Sequence, residues 1–180
     1  PFPLSLDGVL KSSPVADPLR LMDCSPITDG AAAVILCPLD MAHKFKNKPV
    51  KIKAVGSASG PIALHDHTDL TRLDAVRLAG ERAYKMAGLS PSDISFVEVH
   101  DCFSIAEIIV VEELGFFEYG KAGKAIAEGQ GTYGGKIVIN PSGGLKAKGH
   151  PVGATGVAQI IEATLQLQGR ADKRQVQGAK

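Results

Sequence analysis

The sequence lacks a charge excess of either sign and has no long hydrophobic run, and both absences narrow the choice of function. Its 180 residues include 20 Lys and Arg against 19 Asp and Glu, so the formal net charge is only +1. A charge this small offers no bulk attraction for nucleic acid or an anionic membrane, and we predict neither as a partner. The residues contain no apolar run of bilayer-spanning length and no signal-peptide pattern, so we expect a cytoplasmic protein.

Cysteine is scarce as well. The three cysteines, Cys24, Cys37 and Cys102, are odd in number and lack the spacing of metal ligands, which favours a reduced, intracellular setting. Residues 129–134 have the GxGxxG spacing but follow no predicted strand, so they do not predict a dinucleotide site. The first residue is Pro1 rather than Met, and we therefore expect the chain to belong to, or beside, something larger.

Strand-length and helix-length apolar patterns alternate along the chain, which predicts an α/β layered fold. Residues 1–19 carry four prolines and are predicted to be an extended arm. The predicted strands are 31–37, 50–56, 94–99 and 136–140. The predicted helices are 71–87, 104–114 (opened by a Ser104–Glu107 capping box), 121–128 and 151–168. Small residues in the last helix predict a buried, central position, with an apolar stripe of Val157, Ile160, Ile161, Thr164 and Leu165.

The glycine-rich stretch 140–156 places a histidine at the mouth of a helix. Gly149 leaves room for a ligand or backbone to pass, and Pro151 suits the first helical turn. A neutral His150 there can take a proton from a thiol or donate a hydrogen bond to a developing oxyanion. A glycine-rich strand–helix loop with a capping histidine explains the same residues without catalysis.

A second cluster, His100-Asp101-Cys102-Phe103, lies between a predicted strand and a predicted helix. A helix N-terminus stabilises a thiolate, so Cys102 is a candidate acid/base or nucleophile. A buried cysteine acting as a small hydrophobe is the equally open alternative.

Together the two clusters resemble the C-terminal half of thiolases, the coenzyme A-dependent enzymes that make and break a β-keto thioester. The similarity is to the sterol-carrier-protein-like and archaeal acetyl-CoA acetyltransferase branch, where His-Asp-Cys-Phe replaces the Asn-Glu-Ala-Phe of classical thiolases. Residues 100–103 carry that motif and residues 149–151 carry Gly-His-Pro, while 24–33 and 89–94 also look like thiolase segments. The resemblance implies a layered mixed sheet with helices on both faces, as the C-terminal half only and without its closing strands.

The resemblance implies a two-step reaction in which a cysteine takes an acyl group and a second acyl-CoA attacks it as a carbanion. His150 then activates the nucleophile and helps bind the thioester oxygen, and His100 helps to build the oxyanion site for the enolate. Cys102 moves the α-proton. Phe103 lines the pantetheine tunnel, with Gly149 and, more loosely, Ser57 also at the coenzyme A moiety. Coenzyme A thioesters are implied as substrates, with no permanently bound cofactor.

The nucleophilic cysteine of thiolases lies in an N-terminal half, and neither Cys24 nor Cys37 matches it. We therefore interpret residues 1–48 as an arm plus the end of that half, and 49–180 as the C-terminal thiolase-like domain, incomplete at its end. Alone, the chain is expected to be inactive. The implied partners are an N-terminal thiolase half or further copies of the chain, and a complex with hydroxymethylglutaryl-CoA synthase.

Two other functions stay open. One is a non-catalytic coenzyme A-binding or assembly subunit, against which the intact His100, Cys102 and His150 argue. The other is a thioester hydrolase that uses Cys102 with His150 and needs no second chain. His65, Asp66, His67 and Asp69 contain metal-ligand types, but a polar loop explains them as well, and we predict no metal site. Lysines that could meet coenzyme A phosphates are Lys121, Lys124, Lys136, Lys146 and Lys148.

Overall fold

A computed structural model describes residues 3–180. In chain order the helices and strands are α1 (Leu6–Leu10), β1 (Pro14–Ala16), β2 (Leu19–Arg20), α2 (Asp74–Ala87), β3 (Phe96–Val97), α3 (Ser104–Glu113), α4 (Ala122–Ala127), β4 (Val138–Ile139), α5 (Gly144–Lys148) and α6 (Val152–Leu167). The four predicted helices correspond to α2, α3, α4 and α6, and their positions are confirmed.

The centre of the fold is the parallel pair β3–β4, in which Phe96 lies opposite Val138 and Val97 opposite Ile139. Because side chains alternate along a strand, the pair has two apolar faces. On one face, Phe96 and Val138 pack against Val176 and side chains of α6. On the other face, Val97 and Ile139 pack against the cluster formed by α3, α4 and the aromatic residues between them, Phe116 and Phe117. Helices therefore cover both faces of the pair, as the α/β prediction requires.

Helix α2 lies against α3 through a close contact. Gly80 is the buried residue of α2, and a Cβ there would approach Leu114 Cδ2 to 2.9 Å. Tyr84 Oη donates a hydrogen bond to the Leu114 carbonyl oxygen. The helix ends at Gly88 in the left-handed conformation (φ 65°), which confirms the predicted glycine stop.

The N-terminal arm is more ordered than predicted. Helix α1 begins after Ser5, whose hydroxyl accepts a hydrogen bond from the Gly8 amide, and β1 and β2 form an antiparallel hairpin. The prolines are compatible with this hairpin, because Pro14 begins strand β1 and Pro18 lies in the turn between β1 and β2. Pro1 and Phe2 lie outside the described residues.

Two strand predictions are wrong for this structure. Segments 31–37 and 50–56 lie outside helix and strand, with no ladder partner among residues 3–180. Their apolar side chains are exposed, including Ile35 at 81% and Val55 at 69%. The residues have strand propensity, but a strand also needs a neighbour, and the described chain supplies none. The sheets are consequently two small pairs rather than one layered sheet.

Helix α6 turns a different face inward than its apolar stripe predicts. Its buried residues are Thr155, Glu162 and Gln166, whereas Ile160 is 48% exposed. Glu162 and Gln166 hold the C-terminal tail: Glu162 accepts from Arg174, and Gln166 donates to the Arg174 carbonyl oxygen and accepts from the Val176 amide. Thr155 contacts His150 instead. Within the described chain α6 is therefore partly exposed, contrary to the predicted buried, central position.

The predicted capping box at α3 is also absent. Phe103 is the N-cap, and no side chain caps the helix there. Ser104 instead donates to Asp23 Oδ1, and Glu107 accepts from Asn140 Nδ2. Both side chains serve long-range contacts, which sequence spacing does not reveal. None of the described helices is long and apolar enough to cross a membrane.

Candidate functional site

The two sequence clusters meet at one end of the β3–β4 pair. Parallel strands place their carboxyl ends at the same edge, and both motif loops leave the strands there. The ring centroids of His100 and His150 are 4.7 Å apart, and the rings meet edge to face at 82°. The structure thus brings together two histidines that are 50 positions apart in the sequence.

Direct hydrogen bonds join the first motif loop to the second. The buried Asp101 carboxylate accepts a hydrogen bond of 2.8 Å from the amide of Leu145, which lies in the short helix α5. The Glu98 carboxylate accepts from both the amide and the hydroxyl of Ser142. Each bond crosses from one loop to the other, so the carboxylates fix the separation of the two histidines.

Asn140 links the two strand ends and adopts a positive φ of 48°. Its Oδ1 accepts from the Val99 amide at 2.8 Å, immediately before His100, and its Nδ2 donates to Glu107. Burial raises the pKa of Glu107 above its usual range, and the nearby Asp101 and Glu98 add to the effect. Asparagine tolerates this backbone conformation better than most residues, which suits it to the position.

Residues 24–28 lie across both loops. Cys24 forms an antiparallel bridge with Phe103, and the Ser25 amide donates to the Cys102 carbonyl oxygen at 2.9 Å. Further along, Ile27 forms a parallel bridge with His150. This segment therefore holds the His100 loop and the His150 loop from one side.

Lys146 fixes the same segment from α5. Its Nζ donates to the carbonyl oxygens of Met22 and Cys24, the latter at 2.8 Å. Burial lowers the pKa of Lys146, and the charge of Asp23 opposes that shift. A lysine engaged in this way holds the loop, and it is a poorer candidate for a phosphate contact than the sequence suggested.

The two histidines have different surroundings. The pKa of His100 is lowered, chiefly because partial enclosure disfavours the charged ring and secondarily because His150 is near. The lowered pKa favours the neutral ring, which can donate from one ring nitrogen while accepting at the other. His150 Nδ1 lies 2.8 Å from the hydroxyl of Thr155, which is 3% exposed.

Cys102 is half-buried and lies two residues before α3, with a free thiol. An open groove of about 430 Å³ lies between residues 28–32 and residues 151–154, which directly follow His150 in the sequence. A thiol and an imidazole are both groups that can transfer a proton at an acyl compound.

The comparisons with known proteins agree with this geometry. Residues 56–180 match the family described as thiolase C-terminal domain-like. The chain belongs to this thiolase family. It is 58% identical over its full length to an acetyl-CoA acetyltransferase of Methanothermobacter thermautotrophicus, spanning 47% of that relative. It is also 45% identical to sterol carrier protein 2 of Oryctolagus cuniculus, with 98% of this chain and 33% of the relative aligned.

Among solved structures, the Ltp2-ChsH2(DUF35) aldolase superposes on the chain with a TM-score of 0.86 at 25% identity. The match covers 99% of this chain and 47% of that one. The predicted thiolase-like α/β fold and the predicted branch are confirmed. This thiolase domain spans about half, or less, of the curated relatives it matches.

The remaining predicted site residues of the thiolase domain lie in different places. Phe103 is 43% exposed beside Cys24, and Gly149 is buried with φ 92°, where a Cβ would approach Thr28 Cγ2 to 2.7 Å. Ser57 is exposed, and its carbonyl oxygen accepts from Arg82 of α2. No described contact joins Ser57 to the histidine pair, and its role stays a prediction. Within residues 3–180, no group of three metal-ligand side chains is close enough to hold an ion.

Sequence reasoning missed Asn140, Asp101 and Thr155 as supports of the histidine pair. Asp101 lies inside the first motif and Thr155 lies five residues after His150. Their hydrogen-bond partners could not be predicted, because they are 44 and 5 residues away in the sequence. Helix α5 was missed entirely because its five residues, Gly144–Lys148, contain one large apolar side chain and show no helical period.

Replacing Gly144 with alanine is expected to separate the two loops. Gly144 has φ 63°, and a methyl group there would overlap the Asp101 carboxylate that holds Leu145. We expect a loss of about 2 kcal/mol or more in unfolding free energy, because strain and overpacking add. The difference in unfolding free energy is measured by urea denaturation.

Gly153→Ala is the matched control, because a Cβ at that helical glycine meets nothing within 4 Å. It is expected to leave stability unchanged or raise it by about 0.5–1 kcal/mol. Equal losses in the two variants would contradict the proposed bridging role of Asp101.

Proposed function

We propose that this thiolase domain is the C-terminal part of a coenzyme A-dependent acyltransferase that condenses two acyl-CoA molecules or cleaves a β-keto thioester with coenzyme A. The observation that carries the proposal is the edge-to-face contact of His100 and His150 at 4.7 Å, beside the Cys102 loop. The relatives named acetyl-CoA acetyltransferase support it, since this chain aligns with one of them from end to end.

In the first step, His150 takes the proton of a cysteine thiol that lies outside these 180 residues. The thiolate attacks the thioester carbon, and the protonated His150 stabilises the negative charge on the carbonyl oxygen of the tetrahedral intermediate. When this intermediate collapses, coenzyme A leaves as a thiolate and takes the proton from His150. An acyl-enzyme results.

In the second step, the thiolate of Cys102 takes an α-proton from the second acyl-CoA. The charge moves to its thioester oxygen, where an N–H of His100 can donate. The carbanion attacks the acyl-enzyme carbonyl, a new carbon–carbon bond forms, and the nucleophilic cysteine leaves as a thiolate that takes the proton held by Cys102. Phe103 and Gly149 are proposed to line the pantetheine path, with Ser57 further out along coenzyme A.

The division of the chain is part of the proposal. Residues 1–48 form an arm plus the end of an N-terminal half, and 49–180 form the C-terminal domain, which includes the family match at 56–180. Residues 24–28 cross both motif loops, so the boundary in sequence does not separate the arm from the site.

A second polypeptide region is proposed to cover the surfaces that this chain leaves open. The outward face of α6 exposes Val152 at 78% and Ile160 at 48%, with open space around Gly153 and Gly156. Segments 31–37 and 50–56 expose apolar side chains without strand partners. These surfaces suit an N-terminal thiolase half, which would bring the missing cysteine toward His150.

These open surfaces also favour one alternative, a non-catalytic assembly subunit. Such a subunit could join further copies of the chain or a hydroxymethylglutaryl-CoA synthase complex, and the solved Ltp2-ChsH2(DUF35) aldolase is itself named for two components. An assembly role does not require His100 and His150 to meet at the ends of β3 and β4, which is why we prefer the enzymatic one. Nothing specific favours a hydrolase, because no hydrogen bond joins Cys102 to a histidine within residues 3–180.

The test is cleavage of acetoacetyl-CoA by the native protein, purified with every polypeptide that accompanies it. We expect coenzyme A-dependent cleavage in the assembly and none by the 180-residue chain alone. An assembly that binds acyl-CoA but neither cleaves nor condenses it would favour the assembly role. Hydrolysis of thioesters by the chain alone would favour the hydrolase.

A further inference from the structure

The contacts of Thr155 bear on which nitrogen of His150 carries the proton. The Thr155 hydroxyl lies 2.8 Å from His150 Nδ1 and 3.1 Å from the carbonyl oxygen of Pro151. A hydroxyl has one proton to donate, and a carbonyl oxygen can only accept. If the hydroxyl donates to Pro151, it must accept from His150 Nδ1–H.

The backbone favours that arrangement. Thr155 lies in the first turn of α6, where a threonine hydroxyl readily donates to the carbonyl oxygen four residues earlier. The side chain is 3% exposed, so water does not compete for its proton. Thr155 is thus a fixed acceptor directed at one ring nitrogen.

We propose that Thr155 is a positioning residue that holds neutral His150 as the Nδ1–H tautomer and leaves the lone pair on Nε2. The catalytic consequence of this tautomer rests on the proposed function. In that function Nε2 takes the thiol proton, and the same nitrogen, once protonated, donates a hydrogen bond to the oxyanion. The opposite tautomer would carry its proton on Nε2 from the start and could not act as the base.

Helix α6 supports the other histidine from the same side. Gln159, one turn after Thr155, donates from Nε2 to the Val99 carbonyl oxygen at 2.9 Å. Val99 directly precedes His100, and its amide is held by Asn140. One face of α6 therefore orients the His150 ring through Thr155 and the His100 backbone through Gln159.

The direct test is a long-range nitrogen–proton correlation spectrum of the native assembly labelled with ¹⁵N-histidine, recorded at about pH 8. His150 is assigned by the signal that disappears in His150→Asn. We expect the pattern of a protonated Nδ1 and an unprotonated Nε2. A protonated Nε2 in the unsubstituted protein overturns the proposal, without reference to any variant or activity.

Two substitutions extend the test. Thr155→Ser keeps the hydroxyl and is expected to keep the tautomer, whereas Thr155→Val keeps the shape and is expected to shift it toward Nε2–H. We expect Thr155→Val to lower kcat/KM about 10- to 100-fold, with rescue by serine. An unchanged spectrum in Thr155→Val overturns the proposal. If the expected tautomer is found but the assembly has no acyltransferase activity, the proposed function fails and the role of Thr155 stands.

Discussion

Substituting His150 with asparagine is expected to lower kcat/KM for acetoacetyl-CoA cleavage by the native assembly at least about 100-fold. The reason is that His150 both removes the thiol proton and donates to the oxyanion in the account given above. Asparagine can donate a hydrogen bond but is not a base at neutral pH, so formation of the acyl-enzyme is affected first. Rapid-quench measurement of coenzyme A release resolves that step.

His65→Asn is the matched control, because the His65 side chain is 85% exposed and lies outside the histidine pair. It is expected to leave kcat/KM unchanged. His100→Asn is expected to slow condensation strongly while leaving acyl-enzyme formation closer to normal, because His100 is assigned to the enolate oxygen. Equal effects of His100→Asn and His150→Asn on both steps would contradict this division of roles.

The second large effect is expected from Cys102→Ser. A serine hydroxyl is too weak an acid to supply the base that removes an α-proton, so condensation and cleavage are expected to fall about 100- to 10,000-fold. Acyl-enzyme formation should persist, because it uses a different cysteine. The diagnostic measurement is exchange of the acetyl-CoA methyl protons with deuterated water, which should be lost.

Cys37→Ser removes an exposed thiol elsewhere in the chain and is the control for this experiment. It is expected to retain both proton exchange and acyl-enzyme formation. If Cys102→Ser abolishes acyl-enzyme formation instead, Cys102 is the nucleophile, and the hydrolase function becomes the better explanation.

The sequence predicts local structure well where one segment decides the outcome. Helix α2 has an apolar face and a glycine stop, and α3, α4 and β3 also lie where predicted. Prediction failed where the outcome depends on a distant neighbour. Segments 31–37 and 50–56 have strand residues but no ladder, and α6 buries its polar side because the C-terminal tail needs Gln166.

The candidate site was predictable to the same extent. Both histidines and Cys102 stand in short motifs that the chain displays directly, and their family resemblance is confirmed. Their support was not visible, because Asn140, Asp101 and residues 24–28 act across long sequence separations. Motifs identify the proposed reacting groups, whereas the hydrogen bonds that fix their geometry become apparent only in three dimensions.

The measurement that tests the central claim most directly is to identify the cysteine that becomes acetylated. The native assembly is incubated with radiolabelled acetyl-CoA, trapped at low pH and digested, and the labelled peptide is sequenced. The account predicts a label on a cysteine outside these 180 residues and none on Cys24, Cys37 or Cys102. A label on Cys102 would contradict the assignment of Cys102 as the group that moves the α-proton and would make it the nucleophile.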